Sequence, residues 1–499
     1  MIVNLDPEIS EESEQLLQKL IENQIASRIF EKDSSIWGSA AEPEASIRLG
    51  WTAPIDAANK LLPSVLKLRD QLRSEGISRI VLCGMGGSSL APEVICKSEQ
   101  VQLFVLDSTS PSTVRTALED LENTAVVVSS KSGSTVETDS QKRIFEHAFE
   151  QAGIDPRSRM IIVTDPDSPL MKDSESKGYR IFEADPNVGG RYSALTAFGL
   201  VPSGLAGADI EKLISDADKA LPIMNKDTSD NPGLVIAAAM SGSRSRLVMD
   251  DSQSSTQGFA DWVEQLIAES TGKDGKGILP VAGNPEAEIQ AGASGILPVN
   301  LGSDEPYEDG FSVSGNLAEL FLAFELATAA SGWLLGINPF DQPDVESAKQ
   351  AARQSLENMS ETVEFDGLAK AKNVLTEITP DGYLSIQLYA HRQEEPRVQN
   401  LREAFVAVSK VPVTIGWGPR FLHSTGQFHK GGSPGGVFIQ LVQEDEELEI
   451  PGREFGFQKL IEAQAAGDAR VLQEKGNTVI RLRVSKSENI IHTLEQLLG

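Results

Sequence analysis

Ser129-Ser130-Lys131-Ser132-Gly133-Ser134-Thr135 carries a hydroxyl at every position except Lys131 and Gly133. The stretch follows an apolar β-branched run, Ala125-Val126-Val127-Val128, and precedes an amphipathic pattern whose first turn contains Glu137. A strand, a hydroxyl loop and a helix N-terminus together make a phosphate cradle, because the unpaired N–H groups and positive dipole end of the helix attract an anion. The loop lacks the Gly-Lys-Ser/Thr ending that serves a nucleotide and its metal, so a sugar phosphate suits it better than ATP. Standing alone, it would read equally well as a Ser/Thr-rich helix cap.

Five further segments change that balance. The run Ile80-Val81-Leu82-Cys83 leads into Gly84-Met85-Gly86-Gly87-Ser88-Ser89, with a helix expected near Ala91-Pro92. Its spacing is not G-x-G-x-x-G, so it is a poor dinucleotide fingerprint. Two such loops on one sheet edge are better read as sharing a phosphate, through Gly87, Ser88, Ser130, Lys131, Ser132 and Thr135. Val188-Gly189-Gly190-Arg191-Tyr192-Ser193 sets glycines before a guanidinium, which lets backbone approach a ligand that the arginine also reaches. Gln265 and Glu269 lie four apart and share a helix face just before Gly272-Lys273, with Glu269 a candidate general base. A fourth segment runs from Asn338 to Lys349 and contains Gln342. The last is His423-Ser424-Thr425-Gly426-Gln427-Phe428-His429-Lys430-Gly431-Gly432, which holds two of the chain's five histidines. Two histidines six apart fall short of a metal site, so proton transfer is the preferred reading.

The elements that must position these groups alternate regularly. Short apolar runs at 79–83, 102–106, 124–128, 160–163 and 179–182 are separated by helical patterns, which predicts a parallel sheet covered on both faces. In such a fold the ligand sits beyond the C-terminal ends of the strands. Residues 7–30 and 57–75 read as helices. A second α/β region is expected from about 204–209, with strand signals at 246–249, 277–281 and 295–301 and a strong helix at 316–335. Further strand signals lie at 383–389, 411–415, 436–441 and 478–484. The expected organisation is an N-terminal helical segment (1–50), a first sheet domain with the phosphate loops (51–205), and a second sheet domain with a C-terminal extension (206–499).

Bulk properties narrow the function. A chain of 499 residues can bury a large core, and its formal charge of −29 argues against nucleic acid and anionic membranes. No apolar run reads as a membrane span, the longest candidate being interrupted by Glu325. The N-terminus lacks the pattern of a secretory signal, and two cysteines make no disulfide or zinc framework, so a reducing cytoplasm is expected.

Taken together, the motifs resemble those of the phosphoglucose isomerases. GMGGSSLAP is similar to that family's GIGGS-type turn and SSKSGSTVET to its phosphate loop. VGGRYS matches a GGRxS signature, QLIAESTGK a Q-x-x-x-E-S-x-G-K segment, and FDQPDVESAK the FDQxGVExGK ending. The matches run in family order from Gly84 to Lys349. With HSTGQFHKGG included, they resemble most the isomerase portion of transaldolase–isomerase fusions. The residues before the first sheet domain are too few for a transaldolase barrel, which needs ~200 or more.

The resemblance implies two SIS-type (sugar isomerase) doubly wound, mainly parallel α/β/α domains. It also implies interconversion of glucose 6-phosphate and fructose 6-phosphate through a cis-enediolate, without metal or cofactor, in a homodimer. Glu269 would move the proton, Arg191 would stabilise the enediolate, and Gln265 and Gln342 would hold sugar hydroxyls. Ring opening would fall to a histidine and Lys349. No histidine lies between Glu269 and Lys349, so that element has moved to the C-terminal tail, with His429 in the role and His423 the runner-up. Pro343-Asp344 departs from the family pattern. An isomerase of mannose or amino-sugar phosphates, or a non-catalytic sugar-phosphate sensor, are the alternatives.

Overall fold

The computed structural model describes residues 1–344, 351, 353–354, 356, 364–392 and 395–499. Lys349 lies outside the described residues. The chain is mixed α/β with three sheets. Strand β1 (Ile2–Leu5) opens it, followed by helices Pro7–Glu22 and Ile25–Phe30. The first sheet contains β2 (Arg79–Gly84), β3 (Phe104–Leu106), β4 (Thr124–Ser129), β5 (Met160–Thr164) and β6 (Arg180–Glu183). Its order is β3-β2-β4-β5-β6 and every pair is parallel. All six residues of β4 are buried, as expected of a β-branched run covered on both faces.

The second sheet contains β7 (Arg246–Asp250), β8 (Leu279–Ala282), β9 (Ile296–Leu301) and β10 (Phe311–Ser314), and β1 closes its edge. The order is β1-β10-β9-β7-β8, parallel except for the β1–β10 pair. The third sheet is built wholly from the C-terminal extension: β11 (Tyr383–Tyr389), β12 (Val413–Trp417), β13 (Gly436–Gln443) and β14 (Thr478–Val484), all parallel in the order β12-β11-β13-β14.

One hydrophobic core links the first two sheets through helices Ala197–Ala206 and Leu317–Leu335. The second of these is long and apolar enough to cross a membrane by length and composition alone, despite Glu325. It is instead a core helix, with 78% of its apolar window buried inside the protein. Asn316 and Glu319 form a reciprocal capping box at its start and Gly336 ends it in the left-handed conformation. Burial pushes the Glu325 carboxyl well above the usual range, and among the described residues no charged partner offsets it.

The third sheet docks on the second through an apolar cluster in which Tyr383, Phe428 and Phe438 meet Val248, Leu279 and Val281, and polar contacts add to it. Arg420 lies 2.7 Å from Glu93 and 3.1 Å from Asp107, and Arg392 lies 3.2 Å from Asp107. Burial alone would raise the Glu93 carboxyl, but Arg420, Arg392 and Lys97 hold it well below the usual range. Lys475 pairs with Asp344 at 2.7 Å, and Gln464 accepts a hydrogen bond from Thr109. These contacts bring the loop after β12 over the C-terminal ends of the first sheet.

Candidate active site

The serine loop, the glycine turn and the Gly-Gly-Arg turn converge on one cavity of about 610 Å³. Helix Val136–Gln151 starts directly after Thr135, and Ser130 and Ser132 fold over its N-terminus. Gly133 N–H donates to Ser130 Oγ at 3.2 Å and Ser134 N–H to Ser132 Oγ at 3.3 Å, while Ser130 Oγ lies 3.4 Å from Thr135 Oγ1. Hydroxyls and helix amides therefore face one small volume, an arrangement suited to a phosphate. Ser88 lines the same cavity from the end of β2.

Two glycines are required by close approach. A Cβ on Gly87 would lie 2.2 Å from the Gly190 carbonyl carbon, so the glycine turn and the arginine turn touch backbone to backbone. Gly86 has φ +54°, and a Cβ there would lie 2.3 Å from the His423 carbonyl oxygen. The third sheet's loop is thus pressed against the first sheet's glycine turn.

Helix Phe259–Thr271 ends at Gly272, as its sequence predicts, and presents Gln265 and Glu269 to the cavity. Gln265 Nε2 donates to Glu269 Oε2 at 3.1 Å and to the His423 carbonyl at 2.8 Å. Gln265 Oε1 is buried and has no hydrogen-bond partner among the described residues, which suits an acceptor for a ligand hydroxyl. Arg191 Nη1 lies 3.2 Å from Glu269 Oε1, and both side chains are less than a tenth exposed. Arg191 Nε donates to Ser270 Oγ, and Nη2 to the carbonyls of Pro339 and Asp341. The guanidinium is locked before any ligand arrives, which is the preorganisation that stabilising a developing anion needs.

The 338–342 loop is held from below by Lys273, whose Nζ lies 2.7 Å from Asp341 Oδ1 and donates to the Asn338 carbonyl. Burial and the nearby Arg191 charge outweigh that partner and bring the lysine pKa down to about 8. Gln342 stands exposed at the cavity rim. The Pro343-Asp344 departure acquires a physical reason. Asp344 N–H donates to Gln427 Oε1, and Gln427 Nε2 donates to Asp344 Oδ2 and to the Gly272 carbonyl. The aspartate is where the third sheet is fastened to the second.

The two histidines separate. His423 lines the cavity, and its Nε2 lies 3.0 Å from Glu137 Oε1. With Glu137 ionised the carboxylate only accepts, which places the hydrogen of this contact on Nε2. Gln464 Nε2 also donates to Glu137 Oε1, at 2.7 Å. His429 does not reach the cavity. Its ring packs against Tyr383 and Phe438, with Nδ1 3.0 Å from the Tyr383 hydroxyl. Burial first, then the Lys430 charge, lowers its pKa to about 3. Six residues after His423, on helix Gly426–Gly431, the chain has turned this side chain into the aromatic cluster between the second and third sheets.

The sequence missed Glu44, Arg48 and Asp165, which also line the cavity. They lie in separate segments with no local motif, so only the fold assembles them. A larger cavity of about 820 Å³ lies between helix Ile55–Ser74 and β6, and of the motif residues it is lined only by Val188. Among the described residues, no group of three or more His, Cys, Asp or Glu is placed to hold a metal ion.

Comparison with known proteins gives a consistent result. Residues 70–284 match the family model described as phosphoglucose isomerase. A glucose-6-phosphate isomerase of Rubrobacter xylanophilus is 28% identical over 366 residues, 58% of this chain and 85% of that protein. A probable glucose-6-phosphate isomerase of Methanococcus maripaludis is 30% identical over 369 residues, 60% of this chain and 83% of the relative. Among solved structures, a hypothetical protein from Thermus thermophilus aligns with TM-score 0.62 and 24% identity, over 71% of this chain and all of that one. A glucose-6-phosphate isomerase from Chlamydia trachomatis aligns with TM-score 0.53 and 21% identity, over 74% of this chain and 88% of that one. Both structural likenesses bear on the fold.

Proposed function

The chain belongs to the phosphoglucose isomerase family, and we propose that it interconverts glucose 6-phosphate and fructose 6-phosphate at the cavity described above. The observation that carries this reading is the Arg191–Glu269 pair, 3.2 Å apart and facing the hydroxyl loop across one cavity. Ser88, Ser130, Ser132, Thr135 and the helix amides hold the phosphate, which fixes the reacting carbons by orientation. Glu269 takes the proton from C2 and returns it to C1, and a proton moves between O1 and O2 in the same exchange. Arg191 stabilises the cis-enediolate that forms between these steps.

Gln265 Oε1 accepts from a sugar hydroxyl, with Gln342 at the rim. Ring opening belongs to His423, with Glu137 fixing its tautomer, in place of His429. Lys349 keeps the role implied by the family's motif, as the second group for ring opening. The homodimer implied by resemblance is part of the proposal, with His423 serving the cavity of its own chain.

The direct test is a coupled assay of glucose 6-phosphate against fructose 6-phosphate, with mannose 6-phosphate and glucosamine 6-phosphate alongside. Turnover with the first pair at least tenfold above the others is expected. Turnover confined to mannose or amino-sugar phosphates would replace the substrate assignment. Binding without turnover of any of them would make the protein a sensor, which needs neither Glu269 nor Arg191.

A pH effect follows from Lys273. Its protonated form holds Asp341, and with the pKa brought down to about 8 that pair is intact below pH 8 and lost as pH rises through it. KM for glucose 6-phosphate is expected to rise about three- to tenfold between pH 7 and 9.5, the worth of one ~1 kcal/mol ion pair. Lys273→Met should show the raised KM already at pH 7 and no further rise. A wild-type KM flat across this range would remove Lys273 from loop positioning.

A further inference from the structure

Among the described residues, each Arg or Lys lining the cavity is already in contact with a carboxylate that also lines it. Arg191 faces Glu269, Lys131 Nζ lies 2.5 Å from Asp165 Oδ2, and Arg48 Nε lies 2.8 Å from Glu44 Oε1. With Asp341 also present, the described Arg, Lys, Asp and Glu side chains of the cavity give no excess of positive charge to receive a phosphate monoester dianion. Something must shift partners when the dianion enters. Arg191 is held on three sides and serves the reacting carbons.

The other two cations stand together. Arg48 Nη1 donates to the Pro186 carbonyl at 3.2 Å, and Lys131 Nζ donates to the same oxygen at 3.3 Å. Two like charges sharing one carbonyl repel each other. That repulsion is felt by Lys131, whose pKa is lowered by burial and further by Arg48. Both side chains are 23% exposed, so both can move. Lys131 belongs to the phosphate loop itself, whereas Arg48 reaches the cavity from the segment that precedes helix Ile55–Ser74.

We propose that Arg48 is a further substrate-binding residue, a guanidinium that leaves Glu44 to close on the substrate phosphate from outside the first sheet domain. This rests on the isomerase reading above. The planar fork of arginine suits two phosphate oxygens at once, and a dianion placed between Arg48 and Lys131 converts their repulsion into two attractions. Glu44 then acts as the resting partner that keeps the guanidinium at the cavity mouth.

Three measurements on Arg48→Gln and Arg48→Lys test the assignment. In Arg48→Gln, KM for glucose 6-phosphate is expected to rise about 10- to 50-fold while kcat falls less than threefold, in line with the loss of a charge-assisted hydrogen bond. The inhibition constant of inorganic phosphate should rise by a similar factor, and the thermal protection given by inorganic phosphate should shrink. Arg48→Lys should recover part of each effect. A KM and a phosphate inhibition constant both within twofold of wild type would overturn the proposal, making Arg48 a brace between the N-terminal segment and Pro186. Should wild type fail to isomerise, the isomerase reading falls, and the difference in phosphate protection between wild type and Arg48→Gln still decides the role of Arg48.

Discussion

Glu269→Gln is expected to lower kcat for glucose 6-phosphate by about 10³-fold or more, with KM changed only a few-fold. General-base catalysis contributes ~10²–10⁴, and among the described residues Glu269 is the carboxylate ion-paired with Arg191. In barrier terms that is about 4 kcal/mol. The substitution keeps the shape but removes the negative charge, leaving Arg191 without the carboxylate at 3.2 Å. Its other bonds, to Ser270, Pro339 and Asp341, hold it in place, so the cavity should persist.

Gln265 would now meet an amide where it donated to Glu269 Oε2, a modest cost in a side chain still held by the His423 carbonyl. Two readouts separate lost chemistry from lost binding. Exchange of the C1 or C2 hydrogen with deuterated solvent should vanish along with turnover. Inorganic phosphate should inhibit or protect the variant as it does wild type. Residual turnover above a tenth of wild type would assign the base to another residue.

His423→Ala should lower kcat for the cyclic substrate by about 10²-fold, the lower end of what a positioned acid–base group contributes. A tetrose 4-phosphate has no free hydroxyl with which to close a ring, so its isomerisation should change less than threefold. Glu137→Gln should move the same ratio part of the way, because the carboxylate that fixes the Nε2–H tautomer becomes an amide.

His429→Ala behaves differently. It empties a ring from between Tyr383 and Phe438 and is expected to cost about 3 kcal/mol of stability, leaving the two-substrate ratio of the folded protein at its wild-type value. If His429→Ala shifts that ratio and His423→Ala does not, the roles are reversed. Mixing Glu269→Gln with His423→Ala tests whether each site draws its histidine from its own chain. Such a mixture should recover no activity after co-refolding, whereas recovery near a quarter of wild type would show the histidine acting across subunits.

Much of the fold is legible in the residues. Buried parallel strands announce themselves as short apolar runs, and those of the first and third sheets stand within a few residues of their expected bounds. Two strands of the second sheet went unseen. β1 (Ile-Val-Asn-Leu) and β10 (Phe-Ser-Val-Ser) interrupt their apolar residues with polar ones, so neither shows the continuous apolar run of a strand buried on both faces. Helix Leu317–Leu335 was expected from its pattern, but its nearly complete burial is a matter of what packs around it.

The site divides in the same way. Local chemistry determined the hydroxyl loop at a helix N-terminus, the Gln265–Glu269 helix face and the glycine turns. Each is a property of a few consecutive residues whose backbone and side chains act together. Tertiary structure alone decided which histidine faces the cavity, because His423 and His429 have similar neighbours in sequence and differ only in which way the chain has turned on reaching the third sheet. It also brought in Arg48, Glu44 and Asp165, single charges from separate segments whose meaning lies in their distance from Lys131 and Pro186. Short-range motifs can be read where bond geometry dictates the neighbours. Partnerships across hundreds of residues depend on how the three sheets pack.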